Sequence, residues 1–473
     1  MRCLFILILF LLYSFSGFSD DKCKEAINEL LNASNQFEVK QYENNRYIEA
    51  SYIVDGQNKL IAVSTQDDLV KDRDLKDLMK TYLSLNISLL DDFEIPNQLM
   101  IILSKHLTTS VVSSKSPHYN PIRSSVNVPV QFLKSGFHKW YAKHPKFSKP
   151  IQVHEIAHAI IDASFQKTLE PWAKFKQTQK DWASIGAQKN QLNQELISIV
   201  NKYQSAESKK IIEDLFEKRA TITGEKADLE IKIWKKNLDE SKHKESLKRF
   251  DQKITRLNEK IYNARLYSIT DENDKKRWVE IIEELKPINE LYNQYMEILQ
   301  ADINSQLFTA YDEFLADTIT VTYLNDPKSI SKSIEFSNSK KEKISRDFEN
   351  KLPLSVLPDV VQTDGVKKVF TSFDLSNGVI YQKDVVTEWG RNKFYEAHEI
   401  LNATRGHVWK YYLSNPLYSK KKSQVLGLIA KAVAIEIQAR VAEPELIGQF
   451  LSPRQMNKRL IETIDRVIKE AQI

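Results

Sequence analysis

Cysteine is almost missing from this chain: two residues in 473, Cys3 and Cys23. Cys3 lies in an apolar leader, so processing leaves one thiol and no internal disulfide. Stability must then come from packing or a metal. Glycine and proline are sparse, at 11 and 14 residues, and between Pro171 and Pro287 only Gly186 and Gly224 interrupt the sequence. With abundant Lys, Glu, Ile and Leu, that scarcity favours helix. Charge of one sign is lacking too. A net +5 over this length is too slight for a nucleic-acid surface, so no nucleic-acid partner is expected. Apart from the leader, the run from Val425 to Ile437 is largely apolar, but Lys431 interrupts it. It reads as a core helix, and no stable membrane span is expected once the leader is removed. What is present is globular: 42% hydrophobic and 28% charged residues, enough for two or three domains and a large core.

The leader has the form of a secretory signal peptide. Met1-Arg2 is a short basic start, Cys3 to Phe15 is almost unbroken apolar sequence, and Gly17-Phe18-Ser19 places small residues at the −3 and −1 positions of a cut after Ser19. The mature protein is thus expected to be secreted, or periplasmic in the cell envelope. Cys23 has no lipobox and sits in charged sequence, which marks it as a bystander. Asn-x-Ser/Thr sequons at Asn32, Asn86 and Asn402 are read as chance occurrences in an Asn- and Ser-rich chain.

Along the chain, residues 24–34 suggest a short helix. Tyr47 to Val54 and Leu60 to Val63 alternate on either side of Asp55-Gly56, a hairpin signal. A helix is expected over 67–90, a strand over 99–103, and an edge strand over 126–130, where Pro129 is tolerated. Beyond 171 the periodicity becomes helical. Leu192, Leu196, Ile199 and Tyr203, then Leu247, Phe250, Ile254, Leu257, Ile261 and Ala264, form heptad-like stripes. They predict two helices, 188–221 and 226–267, folded as an antiparallel hairpin near Gly224. The hairpin 188–267 buries its own stripe in the simpler reading and offers it to a protein partner in the sharper one. Helices are expected at 274–300, bent near Pro287, and at 304–323. Short strands are expected at 367–373 and 378–382, and helices at 391–413, 424–441 and 453–471.

Among only nine histidines, two form His154-Glu155-Ile156-Ala157-His158. By residue frequencies an HExxH arises by chance in roughly one such chain in a hundred. Positions i and i+4 share a helix face, so both imidazoles can reach one metal ion, with Glu155 beside them as general base. Catalytic zinc takes three protein ligands and keeps one open position. No further histidine follows closely, so the third ligand is expected to be a carboxylate. Glu313, in Tyr311-Asp312-Glu313-Phe314-Leu315-Ala316-Asp317, is the best candidate, with Asp317 one turn on to hold a ligand histidine by its second nitrogen. Asp162, four residues past His158, is a rival ligand about 6 Å further along the helix axis.

HExxH followed downstream by Glu-x-x-x-Asp resembles the gluzincin clan of zinc metallopeptidases, the thermolysin-like enzymes. The resemblance covers the two motif helices. It implies that His154, His158 and Glu313 bind Zn2+, that Glu155 polarises the attacking water, and that Asp317 orients His154. Glu313 follows His158 by 155 residues, farther than is usual for the clan, and the helical hairpin accounts for the excess. Such enzymes also need a donor to the oxyanion on a later element. His398 is favoured, Arg405 is expected to meet a substrate carboxylate or serve as a structural partner, and Tyr395 and His407 stand as alternatives. The expected fold is α+β and mostly helical. A small N-terminal mixed sheet with the zincin active-site helix spans 20–170, a helical insertion 171–303, and a helical C-terminal part with the Glu ligand 304–473. The expected activity is hydrolysis of a peptide or protein substrate. The alternative is a non-catalytic envelope interaction protein that uses the hairpin and carries a degenerate or structural metal site.

Overall fold

The computed structural model describes residues 21–33, 36–54, 57–66, 70–89, 91–104, 118–120, 124–129, 149–235, 240–301, 303–334, 346–349, 354, 360–363, 367–370, 382–387, 390–395, 397–442 and 453–473. The leader and the Asp55-Gly56 turn lie outside the described residues. The chain is mostly helical, with one small mixed six-stranded sheet. Contacts divide it into two units. One comprises residues 1–180, 302–383 and 395–473, the other 181–301 and 384–394.

The first unit begins with helix α1 (Asp21–Ala33) and strands β1 (Lys40–Tyr42), β2 (Asn45–Val54) and β3 (Gln57–Thr65), which pair antiparallel in sequence order. Helix α2 (Asp72–Leu89) carries the chain over to β4 (Gln98–Ser104), which lies parallel to β3, as a crossover requires. Strands β5 (His118–Asn120) and β6 (Ser125–Pro129) complete the order β1-β2-β3-β4-β6-β5. Burial alternates as a one-faced sheet demands: Leu99, Ile101 and Leu103 are buried, whereas Met100 between them is 45% exposed. Leu75, Leu78, Met79 and Tyr82 of α2 are buried at helical spacing. The segment around 126–130 proves not to be the edge. β5 pairs with Ser125, Val126 and Asn127 from outside, and Pro129 is tolerated because it is the last strand residue.

Helix α3 (Lys149–Thr168) follows, with Pro150 in its first turn. It is buried on nearly every side, polar residues included, and sits inside the unit rather than on its surface. Helix α4 (Glu170–Tyr203) starts two residues later, and its first turns belong to this unit. Helix α8 (Ile303–Leu324) is equally buried and packs on α3. Its threonines are satisfied within the helix: Thr318, Thr320 and Thr322 donate to the carbonyls of Phe314, Ala316 and Thr318. Asn325, at φ 50°, ends α8 in the left-handed region, a conformation asparagine tolerates at a helix C-terminus. After α9 (Ser329–Ile334), β7 (Val360–Thr363) pairs with β8 (Lys367–Phe370), and β9 (Gln382–Thr387) with β10 (Gly390–Tyr395). Residues 371–381, where part of the two expected strands falls, lie outside the described residues. The helix expected over 391–413 is instead β10, then α10 (Ala397–Ile400) and α11 (Asn402–Val408), separated at Leu401 by a non-helical backbone (φ −100°, ψ 29°). The chain ends with α12 (Lys422–Ala442) and α13 (Pro453–Glu470), packed on each other. No described helix is long and apolar enough to cross a membrane. Two sequons are sterically closed: Asn86 is fully buried against Tyr52, and Asn402 is 3% exposed.

The second unit holds the rest of α4 with α5 (Ala206–Lys235), α6 (Lys244–Ser268) and α7 (Glu272–Ala301), together with most of the β9–β10 pair. The expected two-helix hairpin turning at Gly224 is corrected. Gly224 lies inside α5, where an exposed helical glycine costs only about 1 kcal/mol against alanine. The chain turns instead at Gln204-Ser205, where Ser205 Oγ accepts the Ser208 N–H and caps α5, and again between α5 and α6, where a 3-10 turn at Glu240–His243 leads into α6. The stripe Leu196, Ile199, Val200 packs with Ile269, Trp278, Ile281 and Leu285. The second stripe, Leu247 to Ala264, is only half-buried along α5 apart from Ile261. Helices α5 and α6 run antiparallel, tied by Arg219 to Asn258 and Lys226 to Asp251.

Candidate metal centre

Helices α3 and α8 lie antiparallel, so that His154 faces Asp317 while His158 faces Asp312 and Glu313. The 155-residue gap is closed, and three donor groups converge. His154 Nε2 is 3.0 Å from His158 Nε2 and 3.2 Å from Glu313 Oε2, and His158 Nε2 is 3.7 Å from Glu313 Oε1. Metal bonds of 2.0–2.2 Å at tetrahedral angles set donors about 3.4 Å apart, which these separations bracket. Glu313 Oε2 is buried without a hydrogen-bond partner, although imidazole nitrogens approach it from two sides. A carboxylate oxygen set among imidazole nitrogens, with Arg346 Nη2 3.8 Å away, fits a small cation. The cluster His154, His158, Glu313 supplies two nitrogens and one oxygen for it, a set that suits zinc without being specific to it.

Behind each histidine stands a carboxylate. Asp317 Oδ1 is 3.1 Å from His154 Nδ1, and Asp312 Oδ1 is 2.9 Å from His158 Nδ1. Each can accept from an Nδ1–H, the tautomer that turns the Nε2 lone pair toward Glu313, while Arg346 Nη2 also lies 3.1 Å from both His154 nitrogens. Asp317 is itself gripped by two arginines. Arg346 Nε lies 3.0 and 3.1 Å from its oxygens and a second Arg346 nitrogen also contacts it, while Arg405 Nε donates at 2.9 Å. Asp312 is held by Lys176, whose Nζ is 3.0 Å from Oδ2. Burial alone would raise these carboxyl pKa values, but the adjacent cations win. Asp317 is held well below the usual carboxylate range by Arg346 and Arg405, and Asp312 is lowered by Lys176 and His158. For His158, burial opposes the charge, yet Asp312 and Glu313 overcome it and push its pKa up to about 9. A metal binding there must displace that proton.

Glu155 is buried on α3, and among the described residues no hydrogen bond ties its carboxylate down. His398 approaches Glu313 from another side, with Nε2 at 3.1 Å from Oε2. At 38% side-chain exposure it is far more open than the histidines of α3. Arg405 reaches Asp317 and is fully buried, so it is a structural partner and cannot meet a substrate. His398 and Arg405 therefore do converge on α8, from two short helices rather than one. His407 lies outside the cluster, 2.7 Å from Asp465. Tyr395 closes β10, and its side chain lies outside the described residues. Asp162, the rival ligand, is committed elsewhere: it accepts from Tyr119, Gln166 and Trp172.

Three residues of the cluster carry no motif. Asp312 could have been found by its place beside Glu313, since one residue turns a helix by about 100° and aims it at the other histidine. Lys176 and Arg346 are brought in from other elements and have no local signal. Set against protein-family models, characterised proteins and solved structures, the chain matches none of them.

Proposed function

We propose that this chain is a zinc-dependent metallopeptidase of gluzincin type, acting outside the cytoplasm by virtue of its leader. One observation carries the reading: Glu313 meets the Nε2 atoms of both HExxH histidines, while Asp317 and Asp312 back their Nδ1 atoms. A bound zinc ion would supply Lewis acidity and acidify a water molecule. His154, His158 and Glu313 would hold it. Glu155 takes a proton from the attacking water and delivers it to the departing amine nitrogen, so that water and an amide become a carboxylic acid and an amine. His398, the exposed histidine of the cluster, donates to the oxyanion that develops on the carbonyl.

The test uses purified mature protein and an unfolded protein substrate. Zinc is expected near one equivalent, with hydrolysis abolished by chelation and restored by zinc. Glu155→Gln should keep the metal and lose about 10²–10⁴-fold of activity, the usual contribution of a general base. Absence of stoichiometric metal in the wild-type protein would sink the proposal.

A further inference from the structure

Lys176 lies on α4, outside both motif helices, and is 4% exposed. A lysine is almost never buried without a paired charge, because desolvating an ammonium is expensive. Its ammonium sits over Trp172 and Phe175, 4.9 and 5.6 Å from the ring centroids, and ends on Asp312 Oδ2. The other Asp312 oxygen accepts from His158 Nδ1. Both oxygens of one buried carboxylate are thus used, one by a cation and one by a metal-ligand histidine. That arrangement fixes the carboxylate plane and with it the imidazole plane. Without Lys176 the Asp312 carboxylate would keep only one of these two partners and be free to turn, and the His158 ring with it. His154 has an equivalent arrangement in Asp317 with Arg346 and Arg405, so each histidine has a carboxylate and each carboxylate its own cation.

We infer that Lys176 is a positioning residue of the metal centre, acting through Asp312 to hold His158 in its metal-binding tautomer and orientation. The inference rests on the metal reading above. Outer partners of metal ligands typically change affinity by about 10–100-fold. Lys176→Met should therefore weaken zinc binding, measured by chelator competition, at least about tenfold, and shift the visible absorption of the cobalt(II)-substituted protein. In an Asp312→Asn background, where Lys176 has no carboxylate to hold in place, the same substitution should leave zinc affinity unchanged. Unaltered affinity and cobalt spectrum in Lys176→Met, or an equal loss in the Asp312→Asn background, would overturn the inference. Should Lys176→Met alone not fold, Asp312→Asn is compared with the double variant: equal affinity supports the inference, and a further loss overturns it. A wild-type chain that binds no zinc removes the metal reading as well. A wild type that binds zinc, with Lys176→Met binding equally tightly, removes this inference alone.

Discussion

Asp317 makes the strongest demand on a single side chain. It is fully buried, holds His154, and faces two guanidinium groups. Removing one partner of a buried charge group costs about 3–5 kcal/mol, because the others are left uncompensated. Asp317→Asn is expected to lose stability of that order at pH 7, read by urea unfolding. The pH dependence follows from the depressed carboxyl. Its contribution is present above the unfolded value of about 4 and fades as pH falls toward the lower folded value. The gap between wild type and Asp317→Asn should therefore narrow below pH 4, and a gap independent of pH would deny that the ionised carboxylate is what matters. His398 acts in the opposite manner, exposed and close to Glu313. His398→Ala is expected to retain zinc and lower kcat by about 10²-fold, the scale of one oxyanion donor. The candidate ligands and the carboxylate behind His154 are legible because 3.6-residue spacing is local information: His154 with His158, and Glu313 with Asp317. Lys176 and Arg346 are not, since nothing in their neighbourhoods distinguishes a buried cation from a solvated one.

At the scale of elements, two glycines separate propensity from packing. A Cβ added to Gly224 in α5 would meet nothing within 4 Å, whereas one on Gly427 in α12 would meet Asp92 Oδ1 at 2.5 Å and Asp92 Cβ at 2.8 Å. Gly224→Ala should gain about 0.4–1 kcal/mol from helix propensity and a less flexible unfolded chain. Gly427→Ala should lose stability despite the same propensity gain, because α12 would be forced away from Asp92, which also accepts from Ser423. Denaturant titrations of the two variants decide the matter, and a stabilised Gly427→Ala would refute the close approach. The same contrast governs which elements can be read from sequence. The expected ranges 274–300, 304–323 and 453–471 fall within two residues of the ends of α7, α8 and α13. Gly224 suggests a turn, since glycine at an exposed helical site and glycine in a turn look alike in sequence, while the actual turn at Gln204-Ser205 is marked only by a capping serine. The break at Leu401 has no glycine or proline to signal it.

For the whole molecule, the centre joins residues 154 to 158, 312 to 317, 346 and 405, so it closes only when distant parts of the chain are in place. Entropy tolerates this: lengthening a loop from about 20 to 155 residues adds only ~2 kcal/mol of closure cost. A ligand that binds the folded state alone stabilises it by about 2.7 kcal/mol at a hundred times its Kd. Zinc is thus expected to raise the Tm and chelation to lower it, checked by calorimetry with and without chelator, and a Tm indifferent to both would contradict a native-state metal site. Helix α8 also sets a rule for inheritance. Its Asp312, Glu313 and Asp317 each have a separate duty within two turns, and one inserted residue between Glu313 and Asp317 would swing the second carboxylate by about 100°, away from His154. The spacing from Asp312 to Asp317 is thus a property no insertion can share, whereas length changes confined to residues 204–301 leave these three positions in register with one another.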